Sequence, residues 1–207
     1  MKKISLLFIL SLFSVVAFSQ FTLGPKVGYL TQTLSVKQED IKASLQDKAI
    51  FGLFMRIGNS VYVQPEVNYF TSGAVFKRPQ QGSVNPIEQE VYLQNVQIPF
   101  FIGTKLINTR LFNLRAMMGP TANIVVEKRI NTQESGTYIN PIKEADIKDV
   151  YWGFQVGGGM DIASVTLDVQ YIIGLSSIIG DVEIEGNPVL FDSKNQGFVA
   201  TLGLKLF

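Results

Sequence analysis

The stretch Tyr151–Leu175, YWGFQVGGGMDIASVTLDVQYIIGL, contains two alternating segments separated by Ala163 and Ser164. The first segment has one apolar face, formed by Trp152, Phe154, Val156, Met160 and Ile162. Its other face is polar and glycine-rich and is formed by Tyr151, Gly153, Gln155, Gly157, Gly159 and Asp161. A period of two predicts β-strands whose faces meet different environments. A soluble sandwich buries its apolar face, whereas a transmembrane barrel turns that face to lipid and encloses the polar one.

The length predicts one domain, and the high hydropathy predicts apolar residues spread over many strands. The chain has 207 residues, of which 17% are charged, and its formal net charge is +1. The mean hydropathy is +0.22. The positive and negative charges nearly balance and the basic residues are scattered, so the sequence indicates no basic surface for nucleic acid. We therefore expect no nucleic-acid partner. Outer-membrane lipid is the partner that the apolar strand faces predict.

The N-terminal residues have the three parts of a secretory signal peptide. Lys2 and Lys3 form the charged region, Ile4–Phe18 is apolar, and Ala17-Phe18-Ser19 provides a small-x-small cleavage site. We therefore predict a signal peptide over residues 1–19 and a barrel domain over 20–207. A retained membrane anchor is the alternative, but the apolar run is shorter than the ~20 residues of a comfortable span.

Eight alternating segments of strand length follow. The predicted strands are Thr22–Leu34, Ile50–Ile57, Val61–Thr71, Val91–Leu106, Leu111–Val126, Val150–Ile162, Val165–Ile178 and Gln196–Phe207. Most are close to the ~9–11 residues that a tilted strand needs to cross a bilayer. Pro65 and Pro99 interrupt the alternation, and because proline removes a ladder donor we expect a β-bulge at each.

The connections between these segments alternate in length. The short ones are Gly58–Ser60, Ile107–Arg110 and Ala163–Ser164. The long ones are Ser35–Ala49, Ser72–Glu90, Glu127–Asp149 and Ile179–Asn195. Such sorting predicts an all-β, eight-stranded antiparallel up-and-down barrel in the cell outer membrane, with short turns in the periplasm and long loops outside. Lys37–Lys48 forms either a solvated loop, the interpretation we favour, or a short helix.

Four motifs resemble those of the PorT-like outer-membrane β-barrel family of Bacteroidota. They are Val63–Tyr69 (VQPEVNY), Leu93–Lys105 (LQNVQIPFFIGTK), Met118–Pro120 (MGP) and Tyr171–Ile178 (YIIGLSSI), and they follow the family's order. The resemblance covers the chain after the signal peptide and implies an eight-stranded, OmpA-like barrel. Some members of that family serve a protein-secretion system linked to gliding and protease export.

The residue inventory argues against an enzyme. The chain has no histidine and no cysteine, which removes Ser–His and Cys–His mechanisms and the commonest ligands for zinc, copper and nickel. Gly157–Gly159 could suggest a phosphate cradle, but such a loop must open a helix, and the pattern here continues as a strand. Acidic residues in the loops lack the spacing of a calcium loop. We therefore expect no catalytic residue, no cofactor and no metal site.

The inward face carries charged residues close to the short turns. The basic ones are Lys26, Arg56, Lys105, Arg115 and Lys205, and the acidic ones are Glu66, Asp161 and Asp168. Charges inside a narrow barrel must pair, because unpaired burial is costly. The predicted ionic network of the lumen consists of Arg56, Glu66, Lys105, Arg115, Asp161 and Asp168. Within it, we expect Glu66 and Asp168 to lie within ion-pair reach of Arg115.

This network favours a closed lumen over an ion path. An eight-stranded barrel has an interior that side chains can just fill. The predicted function is non-enzymatic: a structural or accessory binding role at the cell envelope. A subunit of a secretion or gliding-motility assembly, with other envelope proteins as partners, is the first alternative, and a small porin is the second. The third is a barrel enzyme that uses a lysine or a carboxylate in place of histidine.

Overall fold

The computed structural model describes residues 21–35, 42–45, 48–78, 87–132, 144–178, 182–184, 187–189 and 194–206. The predicted signal peptide and parts of the four long connections lie outside these residues. In the described part of the chain, no helix has the length and apolar character needed to span a bilayer.

Alternating sequence produces long antiparallel strands. In chain order the strands are β1 (Phe21–Ser35), β2 (Lys42–Leu45), β3 (Lys48–Gly58), β4 (Val61–Arg78), β5 (Ile87–Asn108), β6 (Phe112–Thr132), β7 (Val150–Ile162), β8 (Val165–Gly174), β9 (Val182–Ile184), β10 (Asn187–Val189) and β11 (Lys194–Leu204). A 3-10 turn, Glu144–Asp146, precedes β7.

Eight of these strands close into a barrel. Their order around the wall is β4-β3-β1-β11-β8-β7-β6-β5, and a β4–β5 pairing joins the two ends. Strand β2 adds to the outer part of β4, and β9 and β10 form a separate hairpin. The predicted eight-stranded antiparallel barrel is confirmed, and β2 is an addition to it.

Along each strand, exposed apolar residues alternate with buried polar ones. The predicted assignment of apolar residues to the outer face is correct. Trp152 is 54% exposed and Leu202 53% exposed, while Gln155 and Thr166 are 1% and 2% exposed. The exposed apolar residues continue around the whole barrel wall, as expected for a surface that contacts lipid. Polar side chains project into the lumen.

Short turns join the strands at one end of the barrel, which we call the turn end; the opposite end is the loop end. The turns follow β3, β5 and β7. Two of them use left-handed backbone, with φ of 129° at Gly58 and 50° at Ala163. Glycine meets that requirement without strain, and Ala163 adopts it within a two-residue hairpin connection.

Several predicted boundaries at the loop end are wrong. The predicted loop Ser72–Glu90 is largely strand, because β4 and β5 stay paired as far as Arg78 and Ile87. Strand β6 likewise continues to Thr132. Neither of the two interpretations of Lys37–Lys48 holds for Lys42–Leu45, which is strand β2. The prediction ended strands where apolar alternation stopped, but backbone pairing needs no apolar face once the strands leave the lipid.

The bulges are not at the prolines. Pairing is interrupted at Pro65 between β3 and β4 and at Pro99 between β4 and β5, but the register is the same on both sides of each interruption. Register shifts occur instead in the β5–β6 pair, at Gln94/Asn95 and between Lys105 and Ile107. Proline removes one N–H donor but keeps its carbonyl acceptor, so the ladder loses a bond and no residue has to be inserted.

Candidate functional site

The most strongly organised part of the lumen is an ionic layer in its turn-end half. Among the residues that the structure describes, Arg115 is the largest fully buried side chain. Its Nη2 lies 2.6 Å from Oδ1 of Asp168 and 3.1 Å from Oδ1 of Asp161. The same nitrogen donates to Oγ1 of Thr166 at 2.6 Å, and Nη1 donates to the hydroxyl of Tyr62 at 3.3 Å. One guanidinium therefore joins β4, β6, β7 and β8.

A glycine makes room for the Arg115–Asp168 pair. Arg115 is in register with Gly159, and Gly159 is in register with Asp168 on the next strand. A Cβ atom on Gly159 would lie 2.0 Å from Oδ1 of Asp168 and 2.6 Å from Nη2 of Arg115. The ion pair thus passes over the backbone of β7, through space that a side chain at position 159 would occupy. The phosphate-cradle interpretation of Gly157–Gly159 does not apply, because β7 continues to Ile162.

A second ion pair crosses β3 in the same way. Lys26 Nζ forms a buried salt bridge with Glu66. Lys26 is in register with Gly52, and a Cβ atom on Gly52 would lie 2.1 Å from Oδ1 of Asn68, so this glycine makes room for an amide that donates to Glu66. Glu66 also accepts hydrogen bonds from Gln64 at 2.7 Å and Asn68 at 3.2 Å. The prediction that Glu66 pairs with Arg115 is corrected here: its cation is Lys26.

Arg56 connects the ionic layer to the turn end. Its Nη1 lies 3.0 Å from Oδ2 of Asp161, and its Nε donates to Oε1 of Gln64 at 2.7 Å. The guanidinium also lies 5.2 Å from the ring centre of Tyr62, within cation–π range. Lys205 approaches Oδ2 of Asp161 at 4.0 Å.

The structure thus brings most of the predicted site residues together. Arg56, Arg115, Asp161 and Asp168 form one connected cluster. Glu66 joins it through Gln64 and Arg56. The remaining predicted residue, Lys105, lines a cavity at the turn end with Arg56, Asp161 and Lys205.

An amide layer lies next to the ionic layer. Asn68 donates to Gln97 at 3.5 Å, and Gln97 donates to Asn123 at 2.9 Å. Further along, the hydroxyl of Tyr151 donates to Asn95 at 3.2 Å. These side chains are all buried, and neutral amides can satisfy one another without a counter-ion.

A cluster of buried apolar side chains, which we call the apolar layer, lies in the loop-end half of the lumen, and the sequence interpretation missed it. Its residues are Leu30, Ile50, Phe70, Ile172 and Val199, all at most 3% exposed. The spacing of apolar residues from the inward charged ones indicates this layer in the sequence. Leu30, Phe70 and Ile172 each follow an inward charged residue, respectively Lys26, Glu66 and Asp168, by four positions on strands that run toward the loop end. Four strand residues correspond to a rise of about 13 Å, with the same face presented.

The lumen therefore contains a sequence of charged, amide and apolar side chains in contact. This arrangement can stabilise the barrel and exclude water, and it offers no nucleophile–base pair of the familiar Ser–His or Cys–His type. Among the residues that the structure describes, no group of three acidic side chains is arranged to hold a metal ion.

Two solved structures are similar in fold. The attachment invasion locus protein Ail of Yersinia pestis, solved in complex with the heparin analogue sucrose octasulfate, has 9% identity and a TM-score of 0.45, with 90% of this chain and 99% of that chain covered. LpxR from Salmonella typhimurium has 7% identity and a TM-score of 0.34, with 90% and 100% covered. No curated protein matches the chain.

A family assignment follows from the sequence itself. Residues 14–180 match the family described as "Outer membrane protein beta-barrel domain". That range covers most of the chain and includes the ionic layer of β3, β4, β6, β7 and β8. The match agrees with the closed barrel and its apolar outer wall and gives an outer-membrane location. The chain belongs to the outer membrane protein beta-barrel domain family.

Proposed function

We propose that this protein is a closed, non-conducting and non-enzymatic barrel with a structural or accessory binding role at the cell envelope. The observation that carries the proposal is the filling of the lumen by three successive layers of buried side chains. A conducting pore needs a continuous water path, and the buried charged, amide and apolar side chains of the described residues support a lumen without one.

The loop end supports the binding part of the proposal. Strands β4, β5 and β6 extend beyond the apolar belt, and their outward residues become polar at Thr71, Gln94 and Glu127. From Thr71 to Arg78 the extension rises about 23 Å along the strand. A paired sheet of this length holds a surface well clear of the lipid, and with the short turns in the periplasm this surface faces outside.

Conductance in planar bilayers tests the closed lumen. The folded protein should insert without producing steady current steps. Steady, reproducible steps would favour the small-porin alternative. Mass spectrometry of the vesicle lipids after long incubation tests the non-enzymatic part, because any progressive lipid product would contradict it.

Copurification tests the binding part. Residues 76–89 can be replaced by a two-residue turn, because Val75 and Glu90 are already paired on neighbouring strands. Mild-detergent extraction from native membranes should recover envelope partners with the intact chain and lose them with the shortened one, while both barrels remain heat-modifiable. Recovery of the same partners with both chains would contradict a loop-end role, and a fixed set of secretion-system proteins would favour the assembly alternative.

A further inference from the structure

A groove of about 420 Å³ lies on the outer wall of the barrel, where β4, β5 and β6 extend beyond the apolar belt, and we call it the wall groove. Its polar and aromatic lining residues are Thr71, Tyr92, Gln94, Glu127, Arg129 and Asn131. Small-molecule sites have volumes of about 300–1,000 Å³. The wall groove is therefore large enough for a small molecule or for the head group of a lipid.

The wall groove begins one cross-strand row above the lipid-facing wall. Its first row consists of three residues in register across the strands, Thr71, Gln94 and Glu127. In the next row toward the turn end, Tyr69 is in register with Val96, and Val96 with Ile124. The two rows are about 7 Å apart, the rise of two strand residues. A lipid whose acyl chains cover the lower row therefore has its head group beside the groove.

The half-buried ring of Tyr92 is held against the sheet within the groove. Tyr92 is in register with Gly73, and a Cβ atom on Gly73 would lie 3.4 Å from Cδ1 of the ring. The phenol donates a hydrogen bond to Glu90 on the same face of β5. The glycine thus gives the ring its place, and the hydrogen bond fixes its orientation. A fixed tyrosine ring suits the C–H groups of a sugar, because its π-face is negative and little side-chain entropy is lost on binding.

The polar groups of the wall groove combine donors and acceptors. The hydroxyl of Tyr69 donates to Oε1 of Gln94 at 2.7 Å, which positions this amide between β4 and β5. Nη2 of Arg129 lies 2.5 Å from Oε1 of Glu127, so a guanidinium and a carboxylate stand side by side. Asn131 adds a second amide. A sugar hydroxyl is both donor and acceptor and can use all of these groups, whereas a phosphate offers mainly acceptors and would face the carboxylate.

We propose that the wall groove binds the saccharide head group of a glycolipid in the leaflet around the loop end. The ring of Tyr92 contacts the sugar, the amide of Gln94 donates to its hydroxyls, and the acyl chains contact the row below. The membrane favours this occupant over a soluble sugar, because it holds the lipid beside the groove at a high effective concentration. The leaflet is the outer one in the orientation of the proposed function, and only this detail rests on that function.

Native mass spectrometry with a defined glycolipid tests the groove. The protein is refolded in tetraethylene glycol monooctyl ether, a detergent without sugar, and titrated with diglucosyl diacylglycerol. We expect saturable binding to the wild type, weakened roughly tenfold or more in the double variant Tyr92→Leu/Gln94→Leu, because an aromatic contact and an amide donor are lost. The matched control is Tyr171→Leu/Gln196→Leu, which removes another outward tyrosine and glutamine, hydrogen-bonded at 3.3 Å, and should leave the affinity unchanged. Heat modifiability checks that each variant is folded.

A second lipid and a shortened chain separate this proposal from its alternatives. Phosphatidic acid with the same acyl chains should bind more weakly, and with equal affinity to the wild type and the groove variant. The chain shortened at residues 76–89 keeps every lining residue named above, so it should bind the glycolipid as the intact chain does, whatever the outcome of copurification. Equal affinity for the two lipids, equal weakening by the control variant, or absence of saturable glycolipid binding would overturn the proposal.

Discussion

The two halves of the lumen are filled by different kinds of side chain. The turn-end half uses ion pairs that span strands, such as Arg115–Asp168 across β7 and Lys26–Glu66 across β3. The loop-end half uses the apolar layer, in which Ile50 is in register with Phe70 and Leu30 with Val199. Both halves are buried to a similar degree.

The difference predicts which substitutions each half of the lumen tolerates. Each ion pair joins two strands that flank a third, so it depends on one register of the strands, and the Arg115–Asp168 pair also needs the space at Gly159. An apolar layer needs only suitable volume, and it pays no desolvation penalty for its side chains. We therefore expect the turn-end half to be sensitive to single changes of charge and the loop-end half to changes of volume.

The largest effect is expected for Arg115→Met. This change leaves Asp168 without its closest cation and removes one of the cations that contact Asp161. Loss of one partner of a buried pair costs about 3–5 kcal/mol. The measurement is the free energy of unfolding by urea from phospholipid vesicles.

A double-mutant cycle separates the ion pair from simple loss of packing. Asp168→Asn in the Arg115→Met background should cost less than the same change in the wild type, because the carboxylate that it removes is already unpaired. Strictly additive costs would mean that the two groups do not interact.

The apolar layer should respond to volume instead. Leu30→Ala is expected to lower the free energy of unfolding by about 2–5 kcal/mol, since Leu30 is 2% exposed and its removal leaves a cavity. The same urea titration at low and high ionic strength provides the contrast. The cost of Leu30→Ala should not change with salt, and a strong salt dependence would show that the layer is not an apolar closure.

Alanine substitutions at two adjacent glycines test whether the Arg115–Asp168 pair needs the space at Gly159. Gly159→Ala places a Cβ atom against Asp168 and Arg115, and overpacking of this kind costs about 1–3 kcal/mol. Gly158→Ala is the control: it lies on the outer face, where the nearest atom to its Cβ is a backbone oxygen at 3.1 Å. Equal costs for both would contradict the crossing of the ion pair over β7.

The smallest effect on stability is expected for Lys205→Gln, at the solvent-exposed edge of the ionic layer. Lys205 lies 4.0 Å from Asp161, and its side chain is 19% exposed. A long, partly solvated pair contributes less than about 1 kcal/mol. Lys205→Gln should therefore leave the unfolding midpoint nearly unchanged. A loss comparable to that of Arg115→Met would show that the ionic layer extends fully to the turn end.

Strand phase was predictable from this sequence, because lipid imposes a strict alternation. The inward direction of Arg56, Arg115 and Asp168 follows from counting residues in each strand. The pairing of Glu66 was not predictable in the same way. It depends on the register between β1 and β3, which places Gly52 beside Lys26, and register is a property of the closed barrel rather than of any one strand.

Two other features also depend on the barrel as a whole. The apolar layer shares its phase with the charged residues, so alternation alone assigned that face to polar side chains and concealed Leu30 and Ile172. The extended strands β4 and β5 continue on backbone hydrogen bonds beyond the lipid, where the sequence no longer alternates. In both cases the deciding contacts join residues that are far apart in the chain.

Labelling of a single cysteine at Gln97 tests the closed lumen most directly. Gln97 is 1% exposed and belongs to the amide layer, next to the ionic one, and the chain has no other cysteine. In folded Gln97→Cys protein, reconstituted in vesicles and exposed to a small charged thiol reagent on both sides, we predict no labelling until urea unfolds the barrel. Rapid labelling of the folded barrel would show a water path through the lumen and would contradict its closure.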